Sequence, residues 1–122
     1  MAKRVLIADD EPNIVTSLEF LMEEAGLEVR IARNGQEALE VAASFAPDLV
    51  LLDVMMPLLN GYEVCQRLKS DPKTRDVRVL MLSAKGRDIE IAKGLELGAD
   101  GYITKPFSTR ELVAKVQELL AR

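Results

Sequence analysis

The stretch Leu49-Val50-Leu51-Leu52-Asp53 is a run of four apolar residues that ends on an acid. No polar residue alternates with the apolar ones, a pattern typical of a strand that is buried on both faces of a parallel sheet. Similar short apolar runs occur at residues 5–8 and 79–82, and a shorter one lies at residues 102–104. Because such strands need helices over both faces, the pattern predicts an α/β fold.

Helical patterns separate these apolar runs. Residues 14–25 carry apolar side chains three and four positions apart, which predicts an amphipathic helix. A second strand is predicted at Glu28–Ala32 and a fourth helix across residues 86–97. Three helix starts show a polar cap followed three residues later by Glu, at Asn34 and Glu37, Asn60 and Glu63, and Ser108 and Glu111. Five strands alternating with five helices predict a single doubly wound domain over residues 1–122.

Composition excludes several classes of function. The 122 residues include no histidine, which excludes histidine bases, histidine metal ligands and a phosphohistidine on this chain. Cys65 is the one cysteine, so an internal disulfide is excluded and a reducing compartment is expected. A formal net charge of −4 without a basic block argues against binding to nucleic acid or to an anionic membrane surface. No apolar run approaches the roughly 20 residues of a membrane span, so a cytoplasmic protein is expected.

Polar residues follow four of the predicted strands. The first strand ends at Asp9-Asp10-Glu11, the third at Asp53, the fourth at Ser83 and the fifth at Thr104-Lys105-Pro106. In open α/β sheets the ligand binds beyond the carboxyl ends of the strands, so these groups are expected to converge. A single acid after a strand is usually a turn or helix-cap residue, but that interpretation does not explain four such ends together.

The chemistry of this predicted cluster is specific. Carboxylate oxygens without histidine or cysteine suit a hard cation, above all Mg²⁺. Carboxylates close together repel one another, which raises pKa values unless a cation joins them. Lys105 adds a positive charge and Ser83 a hydroxyl, and with a metal ion they supply what a transferring phosphoryl group requires. A carboxylate can itself be the nucleophile and form an aspartyl phosphate.

In this order and at these strand ends, the residues resemble the receiver domain of two-component response regulators over essentially the whole chain. The resemblance rests on Asp9-Asp10, on Asp53 followed by Met56-Pro57 and Gly61, on Ser83-Ala84 and on Lys105-Pro106-Phe107. It implies a flavodoxin-like (βα)5 fold with a five-stranded parallel sheet in the order 2-1-3-4-5. It also implies a signalling switch that catalyses only its own phosphorylation and dephosphorylation, rather than an enzyme.

The resemblance assigns the metal and acceptor roles. Asp53 would be the phosphoacceptor. Asp10, Asp53 and the backbone carbonyl of Met55 would ligate Mg²⁺, with Mn²⁺ as an alternative ion, and Asp9 would act through water. Lys105 would pair with the acceptor carboxylate and then with the phosphoryl group.

A conformational switch is implied as well. Ser83 would move toward the new phosphoryl oxygens, and Tyr102 would rotate into the space that Ser83 leaves. The face built from the fourth helix, fifth strand and fifth helix would then change its affinity for a partner. The Lys105–Pro106 peptide bond would be cis.

The resemblance also implies partners. The phosphoryl donor would be a phosphohistidine on a sensor histidine kinase or a phosphotransfer protein, and the output would pass to an unidentified protein target. The chain would be a monomer before phosphorylation. Because it stops with its last helix, no output domain is expected within it.

Several alternatives stay open. The chain could be a phosphorelay intermediate or a non-phosphorylated scaffold. An Asp-nucleophile phosphatase of the haloacid-dehalogenase kind would need a second Asp where Met55 stands. A flavin-binding electron carrier would need a hydroxyl- and glycine-rich phosphate loop where Asp9-Asp10-Glu11-Pro12 stands.

Two surface features have ordinary interpretations. Ile89 and Ile91 cannot both point inward with Leu95, so one of them is expected to be exposed. A solvated face is the default interpretation of the basic stretch formed by Arg67, Lys69, Lys73, Arg75 and Arg78, and a docking contact is the alternative.

Overall fold

Strands and helices alternate along the whole chain. The structure is a computed structural model that describes residues 2–84 and 88–122. The elements are β1 Arg4–Ala8, α1 Pro12–Glu24, β2 Glu28–Ala32, α2 Gly35–Phe45, β3 Leu49–Asp53, α3 Gly61–Ser70, β4 Arg78–Ala84, α4 Asp88–Glu96, β5 Gly101–Lys105 and α5 Thr109–Leu120. The start predicted for the fourth helix, Gly86, lies outside the described residues.

All five strands form one parallel sheet. Its order is β2-β1-β3-β4-β5, which confirms the predicted fold class and strand order. Every residue of β3 is buried, as its unbroken apolar run predicts. Ala8 pairs with Leu52, and Ser83 pairs with Thr104. This register brings the carboxyl ends of β1, β3, β4 and β5 to the same edge of the sheet.

Two apolar layers cover the sheet, one on each face. Leu52 of β3 belongs to the layer that includes Val64 of α3, whereas its neighbour Leu51 belongs to the layer that includes Leu18 of α1. The alternation follows from the two-residue period of a strand. Cys65 lies fully buried in the first layer, and burial raises the pKa of its thiol to about 11. The thiol is therefore protonated and unreactive near neutral pH.

Side-chain caps fix the predicted helix starts. Asn34 Oδ1 accepts a hydrogen bond from the backbone N–H of Glu37 at 2.8 Å. Asn60 and Glu63 form a complete capping box, because each side chain accepts a hydrogen bond from the other residue's backbone N–H. The side chain of Ser108 accepts a hydrogen bond at the start of α5. These three helices therefore start where the sequence predicts.

The structure agrees with the prediction for the isoleucines of α4 and contradicts the interpretation of the basic stretch at Lys69. Ile89 is 84% exposed, which agrees with the prediction that one isoleucine of α4 faces solvent. The solvated-face interpretation is wrong for Lys69, whose ammonium donates hydrogen bonds to the Val77 carbonyl at 2.7 Å and to Asp100 at 3.0 Å. The side chain of Lys69 is only 19% exposed, because these two acceptors hold it against the protein. Among the described helices, none combines the length and apolar character needed to cross a bilayer.

Candidate functional site

Three carboxylates meet at the carboxyl edge of the sheet. Asp9 and Asp10 follow β1, and Asp53 ends the neighbouring strand β3. Each of the three offers one carboxylate oxygen, and these oxygens all lie within 4.8 Å of one another. Asp9 and Asp53 are buried, whereas Asp10 is exposed to solvent. The convergence predicted from the strand ends is present for all three acids.

Lys105 bridges the two buried carboxylates. Its ammonium nitrogen donates a hydrogen bond to Asp9 Oδ2 at 3.0 Å and lies 3.4 Å from Asp53 Oδ1. The other oxygen of Asp9 accepts a hydrogen bond from the backbone N–H of Glu11 at 2.9 Å. Lys105 therefore lies closer to Asp9 than to the predicted acceptor, and Asp9 is held at both of its oxygens.

Burial and neighbouring charges shift the pKa values of Asp53 and Lys105. Burial raises the pKa of Asp53 from 3.8 to about 6, and the charge of Asp9 adds to this rise while Lys105 limits it. Burial alone would lower the pKa of Lys105, but its hydrogen bond to Asp9 and the charges of Asp53 and Asp9 outweigh burial and raise it. Lys105 is therefore cationic near neutral pH, and Asp53 is ionised at an energetic cost.

Ser83 supplies a buried hydroxyl beside this cluster. It lies near the end of β4, pairs with Thr104 of β5 and is 2% exposed. Within the described residues its Oγ has no hydrogen-bond partner. Because a buried polar group without a partner costs free energy, this hydroxyl favours a hydrogen-bonding group that enters the site.

The loop of residues 54–60 forms the wall of the site after β3. The backbone N–H of Met55 donates a hydrogen bond to Asp53 Oδ1 at 3.4 Å, and the side chain of Met55 is exposed. The N–H of Gly61 donates to the Val54 carbonyl at 2.8 Å. A Cβ on Gly61 would lie only 2.3 Å from the Asp53 carbonyl oxygen. Gly61 is therefore required where α3 starts against the end of β3.

The donor set fits a hard divalent cation. It consists of oxygen atoms alone, which Mg²⁺ prefers. Two of the carboxylates are buried and Asp10 faces solvent, so an ion there could keep the waters that Mg²⁺ retains. A divalent charge would also oppose the repulsion between Asp9 and Asp53 that raises the pKa of Asp53.

Comparison with known proteins identifies the family of this chain. The family model described as the response regulator receiver domain matches residues 5–117. The chain belongs to the receiver domain family of response regulators. It is 47% identical over 122 residues to the alkaline phosphatase synthesis transcriptional regulatory protein PhoP of Bacillus subtilis (strain 168), a match that covers 100% of this chain and 50% of that protein. This receiver domain thus spans about half the length of the curated relative.

Solved structures share the fold of this receiver domain. A candidate response regulator from Chloroflexus aurantiacus J-10-fl has a TM-score of 0.97 at 38% identity, and the match covers 100% of both chains. The signal receiver domain of a signal transduction histidine kinase from Syntrophus aciditrophicus has a TM-score of 0.91 at 36% identity, covering 98% of this chain and 91% of that one.

The remaining residues predicted to matter in the receiver domain lie around the acidic cluster or beside it. The Lys105–Pro106 peptide bond is cis. Tyr102 is 43% exposed on β5, where it lines a surface groove with Lys115 and Glu118 of α5. The carboxylates, Lys105 and Ser83 therefore lie together at the carboxyl edge of the sheet, whereas Tyr102 lies in the surface groove between β5 and α5.

The contact that Gly35 makes beside the receiver domain site was not predicted from the sequence. Gly35, the first residue of α2, packs against the loop of residues 54–60, and its N–H donates a hydrogen bond to the Pro57 carbonyl at 3.3 Å. In the sequence, Gly35 is only part of a predicted helix start. The glycine at that position was the available signal, but nothing in the sequence indicates which loop it meets.

Proposed function

We propose that this receiver domain is a phosphorylation-controlled switch in which Asp53 accepts a phosphoryl group from a phosphohistidine on a sensor histidine kinase or a phosphotransfer protein. The observation that carries the proposal is the convergence of the Asp53 carboxylate with the carboxylates of Asp9 and Asp10 and with the Lys105 ammonium, which lies 3.4 Å from Asp53 Oδ1. A nucleophile, a cation and a divalent-metal donor set thus surround the same point.

The transfer is a displacement at phosphorus. One oxygen of Asp53 attacks the phosphorus atom, a P–O bond forms and the P–N bond to the donor imidazole breaks. The electron pair of the broken bond stays on the imidazole nitrogen, which takes up a proton from solvent. The product is an acyl phosphate on Asp53.

This chain's own residues prepare the step. Because the pKa of Asp53 is about 6, its carboxylate is largely ionised near neutral pH and can act as a nucleophile. In this proposal Lys105 turns from the carboxylate to a phosphoryl oxygen, and Ser83 Oγ donates a hydrogen bond to another. A Mg²⁺ or Mn²⁺ ion held by Asp10, Asp53 and the Met55 carbonyl would neutralise charge on the transferring oxygens.

Phosphorylation would change the surface of α4, β5 and α5. A phosphoryl group adds about −1.5 to −2 charge and three acceptor oxygens. Movement of Ser83 toward those oxygens would free space for Tyr102, which is now 43% exposed. A protein target that reads this face would then bind differently. We further propose a cytoplasmic protein that is monomeric before phosphorylation.

Mass spectrometry tests the acceptor. The protein is incubated with Mg²⁺ and acetyl phosphate beside an Asp53→Ala variant, and one phosphoryl group is expected on the wild type alone. EDTA should prevent the modification. Absence of modification even with candidate kinases would overturn the switch, and modification that persists in the Asp53→Ala variant would overturn the acceptor assignment.

A role as phosphorelay intermediate is the second candidate. It is favoured by the similarity to a receiver domain that is part of a signal transduction histidine kinase from Syntrophus aciditrophicus. The relay predicts that phosphorylated protein passes its phosphoryl group to a histidine phosphotransfer protein. Phosphoryl loss only to water, with altered binding of a target, would favour the terminal switch.

A further inference from the structure

The loop of residues 54–60 does not hold its position through its own conformational preferences alone. Leu58 has φ of +70°, in the left-handed region that non-glycine residues rarely adopt. Contacts with neighbouring elements must therefore keep the loop in place. On the side of Val54 these contacts are its N–H, which donates to the Leu82 carbonyl, and its carbonyl, which accepts from Gly61.

On the side of residues 57–59, the buried side chain of Met56 and the half-buried side chain of Leu59 hold the loop against the apolar layer that includes Val64, and α2 adds backbone contacts. The N–H of Gly35 donates to the Pro57 carbonyl at 3.3 Å. A Cβ on Gly35 would lie 2.0 Å from the Leu59 carbonyl oxygen and 2.7 Å from the Leu59 carbonyl carbon. These are backbone atoms, which cannot move aside as the end of a flexible side chain can. Any side chain at residue 35 must therefore displace the loop or the start of α2.

We propose that Gly35 is a positioning residue that seats the loop of residues 54–60 and thereby sets the affinity of the site for Mg²⁺. The inference rests on the proposed function, because it takes the carbonyl of Met55 as a metal ligand. Met55 lies between the two supports of the loop, only two residues before Pro57. Displacement of Pro57 therefore shifts Met55 relative to Asp53, whose carboxylate accepts the Met55 N–H at 3.4 Å.

Gly35 contributes no atom to the acidic cluster, and α2 supplies none of the predicted site residues. Its effect is therefore expected to resemble that of groups that orient a metal ligand without touching the metal. Loss of such groups typically weakens metal binding about 10–100-fold. A purely packing role would instead lower stability and leave the affinity of the folded protein for Mg²⁺ unchanged.

The test compares Gly35→Ala with Gly26→Ala. Gly26 has φ of +83°, and a Cβ added there would meet nothing within 4 Å, so Gly26→Ala strains the backbone between α1 and β2 without touching the loop. Urea unfolding measures the loss of stability in both variants. Calorimetry measures Mg²⁺ affinity, and hydrogen exchange of the metal-free protein measures protection of residues 54–60.

Gly35→Ala is expected to weaken Mg²⁺ binding about tenfold and to increase exchange in residues 54–60, whereas Gly26→Ala changes neither. Saturating Mg²⁺ should restore most of the phosphorylation by acetyl phosphate in Gly35→Ala. Unchanged Mg²⁺ affinity in a folded Gly35→Ala protein overturns the inference. If the wild type is not phosphorylated at all, the proposed function fails instead, and the two failures are distinguishable.

Leu59→Ala provides a second route if Gly35→Ala does not fold. Leu59 is half-buried and packs against the apolar layer that includes Val64. Truncation of Leu59 removes apolar contacts of the loop and, unlike Gly35→Ala, adds no atom against the backbone. Weaker Mg²⁺ binding is again expected, and an affinity equal to that of the wild type would overturn the seating role.

Discussion

Lys105→Met is expected to lower the free energy of unfolding of the metal-free protein by about 2–4 kcal/mol near neutral pH. The substitution keeps much of the side-chain volume but removes the cation that touches Asp9 and Asp53. The side chain of Asp9 is fully buried and that of Asp53 is 11% exposed, so two carboxylates would be left close together without compensation. Urea unfolding in EDTA measures the change.

Lys115→Met is the matched control. Lys115 lies 3.7 Å from Glu118 on the surface of α5, and the two side chains are 32% and 54% exposed. Because exposed ion pairs contribute about 0–1 kcal/mol, the control should lose little stability. Equal losses in the two variants would mean that the bridge by Lys105 contributes nothing beyond an ordinary surface pair.

The stabilisation from Lys105 has a defined pH range. Its pKa is raised in the folded protein, so its contribution is complete below the unfolded pKa of 10.5 and is lost as the pH rises through the folded pKa. The comparison near neutral pH therefore measures the full contribution. Added Mg²⁺ should stabilise the wild type, and also the Lys105→Met variant if the carboxylates of that variant bind the ion, because a ligand that binds only the folded state shifts the unfolding equilibrium.

Much of the fold follows from short-range patterns. The unbroken apolar run of β3 specified burial on both faces, and the Asn60 and Glu63 pair specified the start of α3. The carboxyl ends of parallel strands share an edge, so the gathering of Asp9 and Asp53 followed from the fold class alone. The order of the strands came from the family resemblance, since the apolar runs do not encode which strands are neighbours.

Contacts between distant segments were not predictable from the sequence. Lys69 and Asp100 are 31 residues apart and form an ion pair, and the same Asp100 oxygen also accepts a hydrogen bond from the Val79 N–H at 2.8 Å. Likewise, the contact of Gly35 with Leu59 depends on how α2 packs beside α3. Such contacts depend on side-chain reach and on helix position, which periodicity and capping signals do not specify.

Asp53→Asn is expected to raise the free energy of unfolding of the metal-free protein by about 1–3 kcal/mol near neutral pH. The folded pKa of Asp53, about 6, lies above its ordinary value of 3.8. The folded protein therefore loses stability as the pH rises from 3.8 to about 6, because ionisation of the buried carboxyl beside Asp9 is costlier in the folded state. Asparagine keeps the shape and removes the charge. Urea unfolding in EDTA across this range measures the gain.

The gain should disappear below pH 3.8, where the carboxyl is protonated in both states and resembles the amide. Added Mg²⁺ should also reduce the difference in the free energy of unfolding between Asp53→Asn and the wild type, because it stabilises the wild type more than the variant. Asp48→Asn is an unsuitable control, since Asp48 accepts a hydrogen bond from the Arg4 N–H. The exposed carboxyl of Asp76 is a better one, and Asp76→Asn should leave stability nearly unchanged. A gain that does not depend on pH would contradict the electrostatic origin.

Combining the two substitutions tests whether one charge balance governs both effects. Lys105 limits the rise in the pKa of Asp53, so removing Lys105 makes an ionised Asp53 costlier. Asp53→Asn should therefore stabilise the Lys105→Met protein by more than it stabilises the wild type, with a coupling of about 0.5–3 kcal/mol. Additive effects would mean that the 3.4 Å contact between Lys105 and Asp53 carries no net interaction in solution. A measurable coupling would instead show that Lys105 is attracted to the charge of Asp53, which would support the proposal that Lys105 pairs with a phosphoryl group on that residue.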